Sequence, residues 1–152
     1  MSAYRRILVA VDGSAAAAKG LREAIRLASA EGAKLFILHV VDEFYAFANL
    51  DGMAPGVDLV PVFREGGRRV LNKAKTLADK GKLKVTTVMR ETVGGPAADV
   101  IVREAKKQRA DLIVLGTHGR RGVRRLVLGS DAEQVVRTAA VPVLLVRATP
   151  GR

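Results

Sequence analysis

The sequence predicts an α/β fold: one doubly wound, five-stranded parallel sheet in the order 3-2-1-4-5. Three observations lead there. Short apolar runs alternate with amphipathic helical stretches along the 152-residue chain, in the order βαβαβαβαβ. The second run is apolar throughout, which suits an interior strand. The third alternates apolar and polar residues, which suits an edge. The length allows one domain, residues 1–152, and an apolar content of 49% supplies its core.

The first run is Arg6–Val11, rich in β-branched residues and ended by Asp12-Gly13-Ser14. A helix follows, with apolar positions at Leu21, Ala24, Ile25 and Ala28, and Gly32 closes it. Leu35–Val41 (LFILHVV) is the second strand. Phe44 to Val57 is a looser segment with turn signals at Asp51-Gly52 and Pro55-Gly56. The second helix presents Val70, Leu71, Ala74, Leu77 and Ala78, with a weak turn and a kink expected at Gly66-Gly67 and an end at Gly81. Leu83–Arg90 is the alternating strand. Gly94-Gly95-Pro96 opens a third helix that runs to about Gln108. Asp111–Leu115 is the fourth strand, and a glycine- and arginine-rich loop runs from Gly116 to Gly129. A short helix at about Asp131 to Ala139 and a last strand, Val143–Val146, complete the pattern. Parallel strands joined through helices require right-handed crossovers. In the predicted order the topological switch point lies between strands one and four, where a ligand crevice belongs.

Composition narrows the function classes. There is no cysteine, so neither disulfide nor thiol chemistry arises. No apolar stretch is long enough to span a membrane, and no secretory leader is read at Met1–Arg6, so the expected location is the cytoplasm. The net charge of +11 favours an anionic partner. Two Tyr, four Phe and no Trp leave the basic segments Arg103–Arg109 and Arg120–Arg125 without the stacking platforms that single strands use, and nucleic acid is not the expected partner.

Two loops meet at the switch point. Asp12-Gly13-Ser14 follows strand one; Gly116-Thr117-His118-Gly119 follows strand four and continues through Arg120, Arg121, Gly122, Arg124 and Arg125 to Gly129-Ser130. Glycines let backbone N–H groups approach a phosphate, and Gly129-Ser130 stands before a helix, whose N-terminus favours an anion. Four arginines and no acid lie between Gly116 and Ser130. The competing reading is turn geometry with a solvated arginine face. Neither a Walker A pattern nor a G-x-G-x-x-G fingerprint is present.

Gly116-x2-Gly119-x9-Gly129-Ser130 resembles the ATP-binding signature of the universal stress protein family, G-x2-G-x9-G-[S/T]. The resemblance extends to ILVAVDGS, LHVVD, ADLIVLGTHGR and VPVLLVR, and so spans nearly the whole chain in order. It implies a Rossmann-like fold of the adenine nucleotide alpha hydrolase-like kind. By the same resemblance Asp12 would bond the ribose, while the backbone at Ala10 and Val40 would meet adenine. Gly116, Gly119, Gly129 and Ser130 would hold ribose and phosphates, with His118 and Arg120 alongside. Asp12 alternatively caps the first helix, and His39, inside an apolar strand, reads as a satisfied core histidine. Asp131 directly follows Ser130; it could favour the helix N-terminus, repel a phosphate or help hold a metal.

The leading expectation is an ATP-binding (or ADP- or AMP-binding) regulator of the stress response, with Mg²⁺ accompanying the nucleotide. A slow ATPase or a phosphoryl or adenylyl transferase is the alternative, but no general base aimed at a nucleophile and no paired carboxylates are legible. A basic module for nucleic acid or other anions is the third reading. A homodimer through Val143–Val146 is expected, because the strand order leaves this apolar strand at an edge; the resemblance implies the same.

Overall fold

The computed structural model describes residues 1–44, 57–117 and 128–148. Five strands form one sheet: β1 (Arg6–Ala10), β2 (Lys34–Asp42), β3 (Val85–Thr92), β4 (Leu112–Gly116) and β5 (Val143–Val146). Their order is β3-β2-β1-β4-β5 and every pairing is parallel. Among the described residues, four helices lie between the strands: α1 (Ala15–Glu31), α2 (Val60–Asp79), α3 (Ala97–Lys107) and α4 (Ser130–Thr138).

Alternation along the strands divides the core in two. Ile7, Val9, Leu35, Ile37, Leu112 and Val114 pack on α1 and α2 through Leu21, Ala24, Ala28, Leu71, Ala74 and Ala78. Leu8, Phe36, Leu38, Ile113 and Leu115 pack on α3 and α4 through Ala98, Ile101, Ala105, Ala132 and Val135. The interior strands β1, β2 and β4 bury both faces, and so read as continuous apolar runs. β3 is partly open, as its alternation requires, and all four β5 residues are half-buried at the other edge.

Three features differ from the sequence reading, each for a physical reason. Helix α2 runs unbroken through Gly66-Gly67, starting at Val60 with Pro61 in its first turn. The glycine pair is costly for a helix, by about 1 kcal/mol per residue. Its reason is packing: a Cβ on Gly67 would lie 2.7 Å from His39 Cδ2 and 3.1 Å from Met89 Sδ. Gly81 does lie in the turn that ends α2, yet the left-handed residue there is Lys82, at φ 54°. The third strand extends to Thr92, two residues beyond the alternating stretch, because its pairing with β2 continues to Asp42. The expected turns at Asp51-Gly52 and Pro55-Gly56 lie outside the described residues.

Candidate functional site

The carboxyl ends of β1 and β4 lie side by side at the switch point, where the connections leave in opposite directions. After β1, the Val11 N–H still donates to Leu38 at 2.8 Å, so the strand is held in line to its last residue. The chain then turns. Asp12 Oδ1 accepts from the Ser14 N–H at 2.8 Å, and Gly13 takes φ 83°, a conformation open to glycine. Ser14, not Asp12, caps α1: its hydroxyl accepts from the Ala17 N–H at 3.1 Å. Asp12 is half-buried at the lip of the crevice and shapes the turn that carries it.

Helix α1 is drawn tightly onto β4. A Cβ on Gly116 would fall 2.6 Å from the Ala16 carbonyl carbon and 2.7 Å from the Ala17 nitrogen; one on Gly20 would fall 3.3 Å from the Gly116 nitrogen. Gly116 thus makes room for the first turn of α1, a packing role that its place in a phosphate-binding pattern does not suggest.

Beyond Gly116 the backbone is pinned twice. The Thr117 N–H donates to Val146 at 3.0 Å, and the Thr117 carbonyl accepts from the Gly129 N–H at 2.8 Å. Residues 118–127 lie between these fastened ends, so His118, Gly119 and Arg120, with Arg121, Gly122, Arg124 and Arg125, fall outside the described residues. Gly129 is the N-cap of α4 and offers no side chain to its first turn, which leaves the leading N–H groups without a side-chain cap. Ser130 opens the helix and is exposed. Asp131 is turned aside: its Oδ1 lies 3.4 Å from the Ala98 nitrogen, at the first turn of α3. Among the described residues no group of three or more His, Asp or Glu side chains converges to hold a cation.

Ala10 and Val40 are half-buried on the α3–α4 side, packed against the second core together with Leu128. They form an apolar shelf at the end of β1 and β2. His39 points the other way and is 8% exposed; Nδ1 donates to the Val11 carbonyl at 2.8 Å, which sets its tautomer. It is a core residue that steadies the approach to Asp12.

One polar group escaped the sequence reading. Thr117 is 9% exposed, and its hydroxyl has no hydrogen-bond partner among the described residues. Buried hydroxyls normally have one. Thr117 continues the alternation Ile113, Leu115 on the α3–α4 side, where a third apolar residue would be expected. A polar residue in that series was the available signal.

The β2–β3 side of the same sheet end carries an acidic cluster. Arg64 on α2 bridges Glu91 and Glu43, the latter at 3.5 Å. A hydrogen bond with Glu91 pushes the Glu43 carboxyl up, while hydrogen bonds from Arg64 and Glu43 hold Glu91 below the usual carboxylate range.

The Universal stress protein family matches residues 3–147. A universal stress protein of Methanocaldococcus jannaschii is 35% identical over 144 residues, covering 95% of this chain and 82% of the relative. The crystal structure of a universal stress protein family member from Burkholderia pseudomallei is 36% identical, with a TM-score of 0.75 over 94% of this chain and 96% of the other. A universal stress protein crystallised in complex with cAMP is 28% identical, with a TM-score of 0.65 over 97% of this chain and all of that one (100%).

Proposed function

The chain belongs to the universal stress protein family, and we propose that it binds an adenine nucleotide, ATP in the first place, in the crevice where β1 and β4 diverge. The observation that carries the reading is the buried hydroxyl of Thr117, without a partner among the described residues, on a residue whose carbonyl is fastened to Gly129 at the start of α4, where no side chain caps the helix. An orphaned donor beside unsatisfied helix N–H groups is a place prepared for an acceptor-rich anion. The cAMP complex of a relative supports an adenine nucleotide as that anion.

The roles are those the family resemblance implies, and the positions of Ala10, Val40, Asp12, Gly129 and Ser130 support them. Ala10 and Val40 offer a half-open apolar shelf to the flat base. Asp12, on its turn, faces the ribose hydroxyls. The N–H groups at Gly129 and Ser130, with the Ser130 hydroxyl, take the phosphates, and the sequence signature assigns His118, Gly119 and Arg120 to the same ligand. Magnesium would ride on the phosphates, since Asp131 serves α3.

The nucleotide acts as a bound signal in the cytoplasm rather than as a substrate turned over quickly. Asp12 and Asp131, the acids closest to this position in sequence, each accept from a backbone N–H of a local turn or helix start. That engagement is positional and aims neither at an attacking water. The active form is a homodimer paired through β5, whose four half-buried residues Val143–Val146 edge the sheet. Calorimetric titration with ATP, ADP and AMP tests the nucleotide reading, and recovery of intact ATP afterwards separates a bound signal from a slow ATPase.

A further inference from the structure

The end of the sheet opposite the crevice carries a row of like charges. Arg6 pairs with Lys34 in the β1–β2 register. The Leu35 N–H donates to the Lys84 carbonyl at 2.9 Å, and one step back in the β2–β3 register Lys84 stands beside Lys34. Lys84, Lys34 and Arg6 are therefore neighbours on three adjacent strands, on the side that faces α3. Like charges directly opposite on a sheet are destabilising. The cations flank one buried ring: Arg6 Cζ and Lys34 Nζ each lie 4.9 Å from the centre of Phe36.

The connections at this end add a second observation. Each helix α1, α2 and α3 turns into the following strand through a left-handed residue. After α1 that residue is Gly32, at φ 65°; after α2 it is Lys82, at 54°, and after α3 it is Arg109, at 52°. Glycine is the residue such a position favours. Two of the three positions instead hold an exposed cation. Arg5, Lys106 and Lys107 are exposed at the same end. None of these cations forms an ion pair among the described residues. The acids at this end are otherwise engaged: Asp111 accepts from the Arg5 and Arg6 N–H groups, Glu31 from the Ala3 N–H, and Asp79 from Lys75. Arg6 Nε donates to the Gln108 carbonyl at 2.6 Å and the Lys107 charge acts on Glu104, but among the described residues none of these cations is bonded to an acid; local rules are thus broken repeatedly in one direction, toward positive charge, as functional surfaces do.

We propose that this amino-end face is a docking surface for the phosphate backbone of double-stranded nucleic acid, bound without regard to sequence. Adjacent strands lie about 4.8 Å apart, so the row from Lys84 to Arg109 spans about 15 Å, along which a duplex presents a charge every ~1.7 Å. The surface has arginine forks for phosphate and lacks the aromatic platforms a single strand would use. Docking on a lipid surface takes an apolar wedge beside the charge, and the cationic row holds none. The face lies at the far end of the strands from the crevice, so both can be occupied at once.

The test is fluorescence anisotropy of a labelled DNA duplex of about two helical turns, between about 50 and 200 mM salt. Two double variants are compared with the parent: Lys34→Gln with Lys84→Gln, and Lys82→Gly with Arg109→Gly. The second pair places glycine where the backbone favours it, and the first relieves repulsion, so neither should lower the thermal midpoint. The parent should bind with a steep salt dependence. Each pair should weaken binding at least tenfold at low salt and reduce the slope of log K against log salt by about 2. A parent that leaves the duplex unbound at the lowest salt overturns the proposal. So do variants that bind with the parent's slope, or a parent that prefers vesicles of anionic lipid to the duplex.

Discussion

The Gly129 N–H donates to the Thr117 carbonyl at 2.8 Å, and this bond joins the end of β4 to the start of α4 across the segment with the glycine signature. The same threonine carries the orphaned hydroxyl. Replacing it with a side chain of equal shape separates fold from function. Thr117→Val should leave stability unchanged or slightly raised, because an unpaired buried hydroxyl contributes nothing to the fold. Nucleotide affinity should fall by about 1–2 kcal/mol, roughly five- to thirtyfold. Urea denaturation and calorimetry on the same sample check both halves.

Gly116 and Gly129 belong to one sequence pattern and should fail differently. Gly116→Ala forces a Cβ to within 2.6 Å of the α1 backbone and should destabilise the fold by about 1–3 kcal/mol. Gly129 sits at φ −58° and ψ 146°, which any residue adopts. Gly129→Val should fold with the parent's midpoint and lose nucleotide binding, because a branched side chain stands where the phosphates approach. Thermal melts and titrations of the two variants should show this opposite pattern.

Glu104 links α3 to the edge strand β3. It is 3% exposed and accepts from Arg90 Nε at 2.8 Å and from Gln108 Nε2 at 2.7 Å. Burial pushes its carboxyl up. The hydrogen bonds from Arg90 and Gln108, with the charges of Arg90 and Lys107, outweigh this and hold it below the ordinary value. A folded value below the unfolded one means that the stabilisation is present above about pH 4.3 and is lost as pH falls through the folded value. Glu104→Gln should cost about 1–3 kcal/mol at neutral pH, since Arg90 loses its partner carboxylate. The variant should also lose less stability than the parent between pH 5 and 3, about the carboxylate range. Urea midpoints across that range are the measurement.

The β5 edge predicts a dimer. Leu144 and Val146 pack toward α1, Val143 and Leu145 toward α3 and α4, and all four stay half-buried. Sedimentation equilibrium should show a dimer at tens of micromolar, as ordinary dimer affinities require. Leu144→Lys with Val146→Lys should shift it to monomer.

Much of this was legible in the sequence, for identifiable reasons. The unbroken LFILHVV and the alternating Leu83–Arg90 placed β2 inside and β3 at an edge, because burial on one or two faces dictates that pattern. Asp12 and Gly13 were readable as a turn, though the cap fell to Ser14. What was hidden depends on contacts between distant segments. Gly66-Gly67 reads as a weak point until His39 is seen against Gly67. The packing role of Gly116 is hidden until α1 is seen against it. Thr117 occupies an unspecified place in the signature, and only its burial without a partner distinguishes it.

Nucleotide binding at the β1–β4 crevice is tested most directly by calorimetric titration of the dialysed full chain with ATP in the presence of Mg²⁺, beside Gly129→Val. Saturable binding of one nucleotide per chain, recovery of the ATP intact, and no heat of binding for the folded variant are expected. Absence of binding to ATP, ADP and AMP at millimolar concentration, or a variant that binds as the parent does, would contradict it.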